Sequence, residues 1–335
     1  MAKKDISKSS VVIGLSNNQV IFLYLNKEAI VCECENVSSN VEWGRVINVL
    51  FNKHKVSYKT KVKVVLDTSL YSSVQLPKNS NLTDEELKGV AMYKDLEGVT
   101  QGRVADFTWD FYDTKTSKNS KPSLTFVLVE KKIISLISEI IAPIGILEAV
   151  TVKELAMAEF ISQYQSYLGK KNEPNGESQY VNQLCVGLYM PKDSELSLFA
   201  IYQGEICYTR VLRGYKELSA EGTLVNADVL ISKLTTEIYR LSDDFLTAQL
   251  GLPPMSKLLL MLDCSCIELI GNLLSQNFKR VVELIPKEDT NNLDLNSVGY
   301  TSCENKAILE IVKKGYIFLP LYGVAKEGCL VNEKD

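Results

Sequence analysis

Along the first 70 positions, apolar residues fall into short blocks separated by small polar turns. Val11–Leu15 and Gln19–Leu25 flank Ser16-Asn17-Asn18, and Asn26-Lys27 precedes a third block, Ala29–Cys34. Blocks of this length between turn residues predict a three-strand meander. Ser38 and Ser39 are placed to cap a helix carrying Val41, Val46, Val49 and Leu50 on one side, and the strand KVKVVLD (61–67) follows. The second half repeats the order. QLCVGLYM (183–190), LSLFAIY (196–202) and EICYTRVL (205–212) read as strands, with PKDSE and Gln203-Gly204 as turns. A helix over 227–250 carries Leu230, Leu234, Ile238, Leu241 and Phe245 at three- and four-residue spacing. Pro253 and Pro254 end it, because proline cannot continue a helix. The strand KLLLMLD (257–263), a helix over 266–277 and a strand over 279–285 complete the half. Two halves of this order predict a duplicated β-β-β-α-β-α chain of the α/β class.

The first half carries an insertion over 70–142. YSSVQLP is a strand, and NLTDEELKGVAMYKDLEGV is a helix that Thr83 and Glu86 can open as a capping box and Gly98 can close. Leu87, Val90, Ala91 and Leu96 supply its apolar face. VADFTWDFYD (104–113) and PSLTFVLVE (122–130) are two further strands, and a helix over 131–141 leads out to Pro143. Thr151 and Glu154 fit a second capping box at the head of the helix that follows. The polar stretch 169–181, rich in Gly, Asn, Pro and Glu, reads as an exposed linker.

The composition is that of a soluble globular chain: 335 residues, 46% apolar, 23% charged, net charge −4. Without a basic block, nucleic acid is not an expected partner. No run of about 18 apolar residues exists, so no membrane span is expected. The apolar stretch after MAKKDISKSS breaks at Ser16 and has no small-residue cleavage site, so no signal peptide is expected either. The eight cysteines include two C-x-C pairs, Cys32/Cys34 and Cys264/Cys266. Alternate strand residues share a face, so these read as packing rather than zinc ligands. The single histidine, His54, sits among lysines and reads as a solvated surface residue. One histidine argues against His-based metal sites and triads.

Five stretches carry a family resemblance in register: VVLDTSLYSSVQLPK (64–78), TDEELKGVAMYKDLEG (83–98), GILEAVTVKELAMAEFI (145–161), QGEICYTRVLRGYKEL (203–218) and LTTEIYRLSDDFLTAQL…PPMSKLLLML (234–262). The chain resembles the group that contains MshI of the MSHA type IV pilus, PilM, and the cytoplasmic domain of the type II secretion protein GspL. The resemblance implies a two-lobed, actin-like (ribonuclease H-like) fold with an inserted strand-helix-strand-strand subdomain. It divides the chain into a first lobe (1–69 and 143–168), the insertion (70–142), the linker (169–181), a second lobe (182–300) and a C-terminal helix and tail (301–335) returning to the first lobe. It implies a protein at the cytoplasmic face of the inner membrane that docks the tail of a PilN- or MshJ-like inner-membrane partner, with the assembly ATPase as a further partner.

In nucleotide-binding members of the wider superfamily, the first turn carries an Asp and a Gly that handle metal and phosphate. Here Gly14 stands at the Asp position and Ser16 at the Gly position, so Ser16-Asn17-Asn18 reads as a structural hairpin turn. In the second lobe, Asp193 has no glycine after it, and Pro191 has no N–H to give. Glu237 and Arg240 in EIYR, and Gly323 and Ala325 in FLPLYGVAKEG, stand where relatives contact the nucleoside. The expectation is a degenerate site near Gly14, Ser16, Asn17, Asn18, Glu237 and Gly323, with no catalytic residue, no metal and no required cofactor. ATP with magnesium is the alternative, as is a GspL-like secretion platform role. For the partner surface the candidates are Lys94, Asp95 and Leu96, at the end of the inserted helix, and Arg213.

Overall fold

The computed structural model describes residues 10–26, 30–77, 83, 86, 96–114, 123–172, 183–192, 194–219, 227–264, 267–278, 281–285, 300–302 and 305–325. Contacts divide the chain into two units. One runs to Thr114 and from Lys121 to Ala156; the other continues from Met157. The division falls inside one helix, Lys153–Asn172.

In the first unit, β1 (Ser10–Leu15), β2 (Gln19–Leu25) and β3 (Ile30–Asn36) form the expected antiparallel meander. After the helix Trp43–Lys53, β4 (Lys61–Leu66) returns parallel to β1. The insertion supplies β5 (Tyr71–Pro77), β6 (Phe107–Thr114) and β7 (Ser123–Glu130), an antiparallel sheet in the order β5-β7-β6. The helix Lys131–Ile141 then leads to β8 (Ile146–Val152), which lies parallel to β4 and completes the order β3-β2-β1-β4-β8.

The second unit repeats the plan. β9 (Leu184–Met190), β10 (Leu196–Tyr202) and β11 (Glu205–Leu212) are the meander. Gln203 and Gly204, both with positive φ, make the tight turn between β10 and β11. β12 (Met255–Leu262), β13 (Val281–Leu284) and β14 (Tyr300–Ser302) add in parallel, in the order β11-β10-β9-β12-β13-β14.

The repeat extends to single residues. Lys61 lies opposite Ile146 and pairs with Glu148, two residues on; Lys257 lies opposite Val281 and pairs with Glu283, two residues on. The Asp67 amide donates to the Leu15 carbonyl at 2.8 Å, and the Asp263 amide donates to the Met190 carbonyl at 2.8 Å. Each half therefore follows the strand parallel to its first strand with an aspartate fixed by the same bond. The two lysine–glutamate pairs differ in burial. Lys61 and Glu148 face solvent, whereas Lys257 and Glu283 are 10% and 4% exposed. Glu283 also accepts from the buried Tyr164 hydroxyl.

Several expectations are corrected. Val46 and Leu50 are buried, but Val41 and Val49 face solvent at 83% and 55% exposure. A short 3-10 turn (Asn40–Glu42) precedes the helix and rotates its register; Ser38 donates to the Glu42 carboxylate, whereas Ser39 makes no side-chain cap bond and only its carbonyl accepts from the Glu42 amide. His54 is half-buried: its ring stacks on Phe22, and Nε2 lies 2.5 Å from Glu33 Oε1. The helix over 227–250 is α-helical only over Ala227–Tyr239 and continues as a π-helix, Arg240–Gln249. The wider turn places Leu241 and Leu246, five apart, on the inner side, while Phe245 is only partly buried. The C-terminal helices Lys306–Lys314 and Leu319–Ala325 are no such correction: they group with Met157–Asp335, a unit that includes the part of the helix Lys153–Asn172 assigned by sequence to the first lobe. Tyr316, just before the second of them, donates to the Ile285 carbonyl, and Gln163 Nε2 donates to the Gly323 carbonyl at 2.8 Å.

The capping box at Thr83 and Glu86 is formed: the Thr83 amide donates to Glu86 at 2.8 Å, and the Glu86 amide to Thr83 Oγ1 at 3.3 Å. Most of the helix it opens lies outside the described residues. The box at Thr151 and Glu154 is not formed. Thr151 is still in β8, paired opposite Val65, so the ladder holds the backbone that the cap needs. Glu154 Oε2 is left buried without a hydrogen-bond partner. Burial, with the nearby Asp67 charge adding to it, raises the Glu154 carboxyl to about 7, against a smaller opposing bond to its own amide.

Two predictions follow from these packing differences. Glu283→Gln leaves the buried Lys257 ammonium without its carboxylate and costs about 3–5 kcal/mol. Glu148→Gln, at the equivalent exposed position, costs at most about 1 kcal/mol; urea unfolding of the two variants reads the contrast. Glu154 has a folded pKa raised above its ordinary 4.5. Its contribution to stability is full below that value and is lost as pH rises through about 7. Glu154→Gln removes this decline, so thermal melts of the wild type fall relative to the variant by about 1–3 kcal/mol between pH 5 and 8.

Candidate functional site

The β1–β2 turn was the first candidate. Gly14 is an ordinary strand residue, paired with Ile21 on one side and Val65 on the other. The turn that follows is closed on itself. The Ser16 amide donates to the Gln19 carbonyl at 3.0 Å. The Ser16 hydroxyl accepts from the amides of Asn18 at 3.4 Å and Gln19 at 2.9 Å. The Asn17 amide donates to Ser69 Oγ at 3.3 Å, and its side-chain Nδ2 to the Ser69 carbonyl. Beneath the turn, the buried Trp43 indole donates to the Ser16 carbonyl at 3.2 Å. A phosphate cradle needs backbone N–H groups turned outward and unclaimed. In this turn the amides from Ser16 to Gln19 are all claimed by the chain itself.

A carboxylate beside the turn is Asp67, whose amide, just after β4, donates to the Leu15 carbonyl. It caps the turn Thr68–Leu70 by accepting from the Ser69 amide, and it accepts from Lys153 Nζ at 3.0 Å. Burial raises its pKa, but the Lys153 ammonium, the Ser69 amide and the Thr68 hydroxyl outweigh burial and hold Asp67 below the usual carboxylate value. The cation on this carboxylate is thus an ammonium of the same chain. These residues do not fit a magnesium-bound triphosphate: the amides are taken and the carboxylate is paired.

The remaining nucleotide-side candidates are dispersed. Glu237 lies beside Tyr215, and burial together with the Glu237 charge raises the tyrosine hydroxyl. Arg240 is exposed at the head of the π-helix. Gly323 is buried in a helix. Pro191 is buried, and its carbonyl accepts from the Ser194 amide; Asp193 lies outside the described residues. Among the described residues, no three His, Cys, Asp or Glu side chains gather as metal ligands.

Of the partner candidates, Lys94 and Asp95 lie outside the described residues. Leu96 is fully buried against Leu124, Phe126 and Leu128, so it is core of the inserted sheet and not a docking residue. Arg213 is exposed at the end of β11, before Gly214 with φ +86°.

The first unit holds a cavity of about 280 Å³ that sequence reading missed. Its walls come from Leu66 at the end of β4, Thr108–Tyr112 of β6, Val127 and Val129 of β7, Ile134 of the helix Lys131–Ile141, Val150–Val152 of β8, and Leu155. Successive strand residues point to opposite faces. A cavity that touches five in a row along β6 and three in a row along β8 therefore runs along strand edges. β6 is bonded only to β7, and β8 only to β4, so each offers an edge that is unpaired among the described residues. The floor is apolar, while Thr108 and Asp110 are exposed at the mouth. The one sequence signal was FTWDFYD, a strand whose acids among aromatic residues mark it as an edge.

No protein-family model and no curated protein matches the chain. Among solved structures, it is similar to the PilM-PilN type IV pilus biogenesis complex, with a TM-score of 0.57 and 13% identity, over 94% of this chain and 97% of that one. It is also similar to a Bacteroides thetaiotaomicron protein of unknown function with an actin-like ATPase fold, at a TM-score of 0.45 and 13% identity, over 85% of this chain and 94% of that one. A third similarity is to the cytoplasmic domain of EpsL, an inner membrane component of the type II secretion system of Vibrio cholerae, at a TM-score of 0.41 and 11% identity, over 76% and 82% of the two chains. At 13% identity the first likeness is one of fold, and it agrees with the repeated sheets: this chain has the duplicated, actin-like α/β fold.

Proposed function

We propose that this chain is a non-catalytic cytoplasmic scaffold of a type IV pilus assembly platform of the MSHA kind. It docks the N-terminal tail of a PilN- or MshJ-like inner-membrane protein and couples it to the assembly ATPase, so its place at the membrane comes through that partner. The observation that carries the reading is the apolar cavity bounded by the unpaired edges of β6 and β8. An extended tail adds main-chain hydrogen bonds to such an edge and sinks alternate side chains into the floor, the β-augmentation mode of peptide recognition. The closed β1–β2 turn and the Asp67–Lys153 pair support the non-catalytic part, since phosphoryl transfer works through positioned metal and donors. The likeness in fold to PilM, solved in complex with PilN, supports the choice of partner. Among the described residues, no helix is long and apolar enough to cross a membrane, which fits a partner-borne anchor.

Two measurements test this. Calorimetry with Mg-ATP on the purified chain is expected to show no binding heat and no turnover; micromolar binding with hydrolysis overturns the scaffold reading. A synthetic peptide of the cytoplasmic tail of the host's PilN-like protein is expected to bind the wild type and to lose at least tenfold in affinity to Thr108→Trp. That substitution fills the cavity mouth from an exposed position. Absence of binding, or equal binding by both proteins, sinks the docking reading.

A further inference from the structure

Resting on the docking reading, we infer that Asp110 selects a basic residue in the docked segment, so that the groove takes an extended strand of the pattern apolar-x-Lys/Arg-x-apolar. Thr108, Asp110 and Tyr112 share one face of β6, by strand alternation. Tyr112 packs in the same apolar cluster as Val127, Val129 and Ile134. Phe107, Trp109 and Phe111 point to the other face and pack with Phe126. The Asp110 carboxylate thus stands on the cavity side. Among the described residues it is the one charged group in the cavity wall. Its cross-strand neighbour on β7 is Val127, an apolar residue. Its hydrogen bond is to the next amide in its own strand, from Phe111 N at 2.9 Å. Among the described residues no Lys or Arg forms an ion pair with it.

A segment added to the free edge of β6 places one of its residues directly opposite Asp110, with Cβ atoms about 4.5–5.5 Å apart. An acid there meets like charge, and an apolar residue strips water from the carboxylate without replacing it. Lysine or arginine lays its aliphatic stem on the apolar wall and brings its charge to the carboxylate. The residues two positions to either side lie opposite Thr108 and Tyr112 and point into the apolar floor. An acid in an exposed edge also guards against self-pairing. A guard of that kind repels strands without regard to register, whereas a selector reads one position; the two roles give different outcomes.

The test is selection from a random ten-residue peptide display library on the full chain, run in parallel on the wild type, Asp110→Lys and Thr108→Trp, with circular dichroism to verify that each is folded. The wild type is expected to enrich Lys or Arg flanked by apolar residues two positions away. Asp110→Lys is expected to shift that position to Asp or Glu. For the leading wild-type peptide, replacing the basic residue with Gln should weaken binding roughly two- to fivefold in low salt, with the difference fading at high salt. Apolar alternation without a charge preference, or a basic preference that survives Asp110→Lys, overturns the Asp110 inference and leaves the docking reading standing. A wild-type pool no richer than that of the blocked Thr108→Trp protein overturns both.

Discussion

Parallel pairing at the centre of each half is the constraint from which the rest follows. β1 is held between β2 and β4, and β9 between β10 and β12, so these strands are covered on both edges. Their residues are buried almost without interruption. Parallel strands require a crossover, and those from β1 to β4, β4 to β8, β9 to β12 and β12 to β13 contain helix. In the first unit the path from β4 to β8 is long enough to hold a whole three-stranded sheet. The insertion ends in β7 and the helix Lys131–Ile141, and the chain must then re-enter the first sheet as β8. That return brings the open edge of β8 and the open edge of β6 to a common cavity.

The same constraint explains why a motif can be present in sequence and absent in structure. Thr83 and Glu86, and Thr151 and Glu154, carry the same capping signature. At the first pair no strand competes for the backbone, and the box forms. At the second, the ladder between β4 and β8 runs on to Val152 and claims Thr151. Glu154 is then buried without the bond that would have satisfied it. Long-range pairing overrides the local preference.

What was legible in the sequence follows the same division. The meanders, the Gln203-Gly204 turn and the order of elements depend on local alternation and turn chemistry, and they were readable. The reading of Ser16-Asn17-Asn18 as a hairpin turn rested on which residues stood there; its bonds to Ser69 and Trp43 come from 52 and 27 residues away. His54 looked exposed because its sequence neighbours are lysines, but the helix end delivers its ring to Phe22 of β2. The cavity joins residues from 66, 108–112, 127–134 and 150–155, so no window of sequence contains it. The π-helical turn over 240–249 has no marker that a three-and-four spacing would register, since Leu241 and Leu246 fit it only after the turn widens.

The lysine–glutamate pair that recurs in both halves has an asymmetric consequence. In the second unit it is sealed from water, so ions in solution scarcely reach it. In the first it bridges β4 and β8 in the open, where counter-ions compete for both partners. β8 is also a wall of the cavity. Ionic strength therefore loosens one flank of the groove while leaving its counterpart in the other half untouched, giving the duplicated chain one yielding copy and one rigid copy of the same clasp.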